Sequence, residues 1–152
     1  MNSDHASNEH ASSGSPTPEE FDALVIASRN AVNKLGVQAL WKAVLALPSW
    51  YFAGAATDLA EPDALEPIVA NVEGVPRLLV FTDEVRAEAF ADWRTRIKGV
   101  TTSVLHMETA DAIAYGNSLI QARISGYLVN SGMHSFEASF EDVSNMYKKY
   151  IG

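Results

Sequence analysis

Residues 78–84, Leu-Leu-Val-Phe-Thr-Asp-Glu, constrain the fold more than any other stretch of this chain. In an extended segment, four successive apolar side chains alternate between the two faces of a sheet, so both faces must be covered. Such a sheet needs helices or a second sheet on each side. The next three residues point to a helix. Thr82 suits the N-cap, and Asp83 and Glu84 place negative charge at the positive end of the helix dipole. Phe90, Trp93 and Ile97, flanked by Val85 and Ala89, recur at helical spacing and predict that helix's buried stripe.

The same order recurs downstream. A strand over 102–107 precedes Thr109, read as a second N-cap with Asp111 in the first turn, and a helix burying Ala112, Ile113, Gly116, Leu119 and Ile120. A strand over 126–129 follows. A terminal helix then begins near Ser139, with Glu141 and Asp142 early, Lys148 and Lys149 late, and a stripe of Val143, Met146, Tyr147 and Tyr150. These two strand–helix–strand units predict right-handed crossovers and parallel pairing.

Upstream, Thr17-Pro18-Glu19-Glu20 carries an N-cap hydroxyl, a proline at the first helical position and a capping-box glutamate. Phe21, Leu24, Val25, Ser28, Val32 and Leu35 form the stripe of that helix, with Gly36 as its C-cap. A second helix carries Val37, Leu40, Trp41, Val44 and Leu45 and stops before Pro48. Strands are predicted over 50–54 and 67–72. The turn Glu73-Gly74-Val75-Pro76 makes the latter an antiparallel neighbour of 78–81. Residues 55–66 read as an acidic loop. Residues 1–16, rich in Ser, Asn, Ala and His without apolar periodicity, read as a flexible tail, and 17–152 as one domain. The predicted class is α/β: a mixed sheet of about five or six strands, helices on both faces, and two N-terminal helices before the sheet.

Composition narrows the function. An apolar content of 47% suits a globular core. With 11 Lys+Arg against 19 Asp+Glu the net charge is -8, which repels phosphate backbones and anionic lipids. The basic residues are scattered along the chain, which argues against nucleic-acid binding. The absence of cysteine excludes disulfides, thiolate catalysis, Cys-ligated zinc and iron–sulfur clusters. No stretch approaches the ~18 consecutive apolar residues of a membrane span, and the first residues show no basic-then-apolar signal pattern. The expectation is a soluble cytoplasmic protein with no membrane association.

The core resembles the SseB family, specifically its N-terminal domain. The resemblance rests on Leu40-Trp41 with Leu45 before a strand, on Trp50-Tyr51-Phe52, on Leu79-Val80-Phe81-Thr82-Asp83-Glu84, and on Gly126-Tyr127-Leu128-Val129-Asn130. It covers roughly residues 20–150, with Asn130-Ser131 where the family has Asn-Pro. It implies a cytoplasmic bacterial α/β domain with no established reaction, cofactor or catalytic set.

Chemistry-bearing patterns are sparse. His106 and Glu108 fall on one face of a strand, and His134 could complete a two-His, one-carboxylate metal site, but the spacing is no known ligand signature. His5 and His10, near Asp4 and Glu9, read as solvated tail residues. Glu19/Glu20, Asp83/Glu84 and Glu141/Asp142 are paired acids, each explained by a helix start. Asp58, Glu61, Asp63 and Glu66 lack calcium-loop spacing. Neither a nucleophile elbow nor a phosphate-binding glycine turn occurs. No catalytic residue, metal or cofactor is predicted.

Three functions remain open. The leading one is a non-enzymatic interaction or regulatory module that binds a protein partner through an edge strand or an aromatic patch, with Trp50 and Phe52 as candidates, although core burial is the favoured reading of these aromatics. Another is a ligand-binding protein or small enzyme using Thr82, Asp83, Thr109 and Asn130 at the strand ends. A third is an acidic secretion-type chaperone.

Overall fold

The computed structural model describes residues 16–30, 35–56 and 65–152. Two helices come first, α1 (Pro18–Asn30) and α2 (Leu35–Leu45). The predicted capping box at the start of α1 forms: Thr17 N–H donates to Glu20 Oε1 at 2.7 Å, and Glu20 N–H donates to Thr17 Oγ1 at 3.2 Å. Gly36 lies within the first turn of α2 rather than capping α1.

Seven strands follow among the described residues: β1 (Ser49–Ala56), β2 (Leu65–Pro67), β3 (Val69–Val72), β4 (Val75–Val80), β5 (Thr102–Glu108), β6 (Gly126–Val129) and β7 (Phe136–Ser139). Helix α3 (Glu84–Lys98) joins β4 to β5, α4 (Thr109–Ser118) leads toward β6, and α5 (Phe140–Tyr150) closes the chain. The strands form two hydrogen-bonded sheets, ordered β2-β1-β5 and β3-β4-β6-β7.

The two sheets are continuous through a wedge. The predicted strand over 67–72 is split at Ile68, whose N–H donates to the Ala53 carbonyl and whose carbonyl accepts from Leu79 N–H, each at 3.0 Å. The β2 side therefore pairs with β1 and the β3 side with β4. Beyond the wedge, Tyr51 and Phe81 exchange backbone hydrogen bonds of 3.0 and 2.8 Å, so β1 and β4 meet directly. The mixed α/β class is as the sequence predicts, whereas the strand adjacency differs. β5 pairs antiparallel with β1, not with β4, because β1 occupies the position beside β4. The parallel pair among the described residues is β4 with β6.

Helices cover both faces. Trp50, Phe52, Leu78, Val80, Tyr127 and Val129 point into the larger core beneath α1, α2, α4 and α5. Ala53, Leu79, Phe81 and Leu128 point into a smaller core closed by Ala87 of α3. Leu78 to Phe81 are thus all buried, in strict alternation between the two cores, as the four-residue apolar run requires.

Candidate functional site

The candidate site lies where β4 and β6 end side by side. Asn130 N–H donates to the Val80 carbonyl at 2.8 Å, extending the ladder by one residue before the chain turns. At Asn130 φ is 53°, a left-handed conformation that asparagine tolerates better than most residues. Its side chain then clamps the neighbouring corner: Oδ1 accepts from Thr82 N–H at 3.0 Å, and Nδ2 donates to Thr82 Oγ1 at 2.9 Å. Both residues are buried.

Thr82 is therefore not the N-cap of α3. That role falls to Asp83, whose backbone is extended and whose Oδ1 accepts from Arg86 N–H at 2.8 Å. The threonine hydroxyl is committed across the sheet instead. Thr109 also differs from its predicted role. It is the first residue of α4, its hydroxyl donates to the Leu47 carbonyl, and its N–H donates to the Pro48 carbonyl at 3.2 Å. Thr109 thus fastens α4 to the α2–β1 connection. Of the four strand-end candidates, the fold brings together Thr82, Asp83 and Asn130.

Arg86 organises the rim. Its Nη2 donates to Asp22 Oδ1 at 2.7 Å and to the Pro18 carbonyl at 2.9 Å, while Nε lies 3.0 Å from Asp83 Oδ2. His134 Nε2 stands 4.0 Å from Asp22 Oδ2. Farther along α1, Arg29 donates to the carbonyls of Met133 at 3.1 Å and Ser135 at 2.7 Å. Helix α1 is in this way tied both to the start of α3 and to the 131–135 loop.

Between α3 and that loop runs a groove of about 380 Å³. Phe81 forms its buried end, Phe90 and Trp93 one wall, and Met133 and His134 the other. The rings of Phe81, Phe90 and Trp93 follow one another at centroid distances of 5.6 and 5.9 Å. Of the predicted buried stripe of α3, Phe90 is half-buried against the smaller core, but its companions are not buried. Trp93 is 42% exposed, Ile97 60%, and Val85 70%, whereas Ala87 and Ala91 are the residues buried under the helix. The two alanines, one turn apart, let the helix backbone approach the sheet closely, and the bulky row is left at the rim.

Trp50 and Phe52, the candidates for an exposed aromatic patch, are fully buried in the larger core. The exposed aromatic side chain lies instead at Trp93. Among the described residues no group of three His, Asp or Glu side chains is arranged to hold a metal ion, so His106, Glu108 and His134 are not brought together. Glu66 is an exposed residue of β2; Asp58, Glu61 and Asp63, like the tail histidines, lie outside the described residues. Reading the sequence missed Arg86 and Met133, and took His134 only as a candidate metal ligand. The pair Ala87 and Ala91 was the one available signal that a narrow face of α3 is the buried one.

The Thr82–Asn130 clamp makes a specific prediction. Asn130→Ala leaves the buried Thr82 N–H without its acceptor and places alanine in a left-handed conformation, for an expected loss of about 2–3 kcal/mol. A double-mutant cycle with Thr82→Val in urea should give a coupling of about 1 kcal/mol. Strict additivity would mean that the side-chain pair contributes nothing. Against known proteins, no family model matches the chain, and no curated protein matches it.

Proposed function

We propose that this chain is a non-enzymatic interaction or regulatory module that engages a protein partner through the outer side of α3. The observation that carries this reading is the pair Phe90 and Trp93 facing Met133, which is 82% exposed, across an open groove, with exposed Ile97 one turn beyond Trp93 on α3. Exposed apolar clusters with an aromatic centre and a polar rim are the usual form of a binding hot spot. The neighbouring polar groups are spent on structure: Thr82 and Asn130 on each other, Asp83 on a helix cap and Arg86 on two carboxylates. The resemblance to the SseB N-terminal domain, a family without an established reaction, supports the same reading and a bacterial cytoplasmic setting.

Trp93→Ala tests it. The side chain is partly exposed and forms no hydrogen bond among the described residues, so stability should change by no more than about 1 kcal/mol. In pull-downs from lysate of the source cell, wild type and a control at an exposed valine on β3, Val69→Ala, should retain the same partner, and Trp93→Ala should lose it. Identical profiles for all three proteins would refute the surface. A metabolite that raised the melting temperature of wild type but not of Trp93→Ala would transfer the groove to ligand binding, which its position at the ends of parallel strands allows.

A further inference from the structure

We infer that the occupant of the α3 groove is an acidic amphipathic helix of the partner, an inference that rests on the interaction reading above. The first argument is shape. Arg86, Phe90, Trp93 and Ile97 follow one another at spacings of four, three and four, which places them on one stripe of a helix about 22 Å long. A row with that spacing packs best against a second helix carrying apolar residues at the same intervals.

The second argument is charge. Arg94 lies one turn beyond Phe90, and Arg96 three residues beyond Trp93, so both border the apolar row. The acids of α3, Glu84, Glu88 and Asp92, repeat at intervals of four beside Thr102 and Ser103 of β5, and Arg96 stands one turn beyond the last of them, between that row and the apolar one. A chain with a net charge of -8 therefore presents an apolar strip bordered by guanidinium groups. These groups retain binding capacity. Among the described residues neither Arg94 nor Arg96 enters an ion pair, and Arg86 uses only Nε and Nη2 within the fold. Carboxylates flanking an apolar helix face would answer these guanidinium groups. An anionic membrane would meet the same arginines, but the acidic row of α3 and the net charge of the chain would oppose its approach.

The probe is a pair of synthetic helical peptides of about five turns, identical in their Leu and Phe row and flanked by Glu in one and Lys in the other. By fluorescence anisotropy at low salt, the Glu peptide should bind at least about tenfold more tightly than its Lys twin, and added salt should narrow the gap. The Arg94→Glu, Arg96→Glu double variant should invert the preference. Should that variant fail to fold, Arg96→Glu alone, at an exposed position, should still reduce it. Equal binding of the twins, or binding of neither, overturns the inference. So does Trp93-dependent association with phosphatidylglycerol vesicles without peptide preference, or a Trp93-dependent dimer in light scattering. If Trp93→Ala loses the cellular partner while Arg96→Glu and the double variant keep it, this inference fails and the interaction reading stands. If Trp93→Ala loses nothing, the interaction reading itself fails.

Discussion

Gly126→Ala should cost about 3 kcal/mol or more and leave much of the protein unfolded or insoluble at moderate temperature. Gly126 opens β6 directly opposite Ser139 of β7. A Cβ there would sit 2.2 Å from the Ala138 carbonyl oxygen and 2.8 Å from the Ser139 Cα. Both are backbone atoms of a paired strand, so no side-chain rotation relieves the overlap. Relief requires β7 to move away from β6, and β7 leads directly into α5, whose Phe140 and Val143 belong to the larger core. The displacement would thus propagate from one peptide group into the aromatic packing. Gly74→Ala is the control. Its added Cβ meets nothing within 4 Å, so its cost should be limited to the positive φ of 84°, about 1–2 kcal/mol. Urea midpoints and the yield of soluble protein measure both. Equal losses at the two positions would mean that backbone conformation, and not contact with β7, makes Gly126 necessary.

The sequence disclosed what depends on local pattern and concealed what depends on distant partners. Leu78 to Phe81 had to be covered on both faces whatever the topology, and they are. The capping box of α1 and the start of α5 at Ser139, whose Oγ accepts from Asp142 N–H, were equally legible because every participant lies within a few residues. Thr82 was not. A threonine before two acids satisfies the pattern of an N-cap, and its true partner, Asn130, is 48 residues away. β7 escaped notice because Phe-Glu-Ala-Ser is short and its pairing with β6 is non-local. The stripe of α3 was misread for a related reason: periodicity locates an apolar row but does not say which of two adjacent rows touches the sheet. Ala87 and Ala91 outcompeted Trp93 and Ile97 because close approach to the sheet favours small side chains, while Phe90 keeps partial burial against the smaller core. The site is consequently assembled from residues whose roles were the least legible.

Trp50 provides the complementary case, an aromatic whose favoured sequence reading was the core and whose alternative was a recognition surface, and it belongs to the core. Trp50→Ala should remove about 3–5 kcal/mol, mostly for truncating a buried large aromatic, since the carbonyl that accepts from the indole also accepts from Leu47 N–H at 3.3 Å. The indole is fully buried, and its Nε1 donates at 3.0 Å to the carbonyl of Val44 in the last turn of α2. Its ring packs edge-on against Tyr127 at 5.3 Å, and Tyr127 in turn against Phe140 at 4.8 Å, so three rings from β1, β6 and α5 support one another. The same burial holds the Tyr127 phenol well above its ordinary pKa. Trp50→Phe separates the contributions. It keeps an edge-on ring but loses the donor and part of the volume, and should cost about 2 kcal/mol. Both variants would weaken partner capture only as far as they unfold the protein, whereas Trp93→Ala should abolish capture with the fold intact. Urea denaturation monitored beside pull-down draws that line. A Trp50→Phe protein that is fully folded yet unable to retain the partner would place the recognition surface at β1 and not on α3.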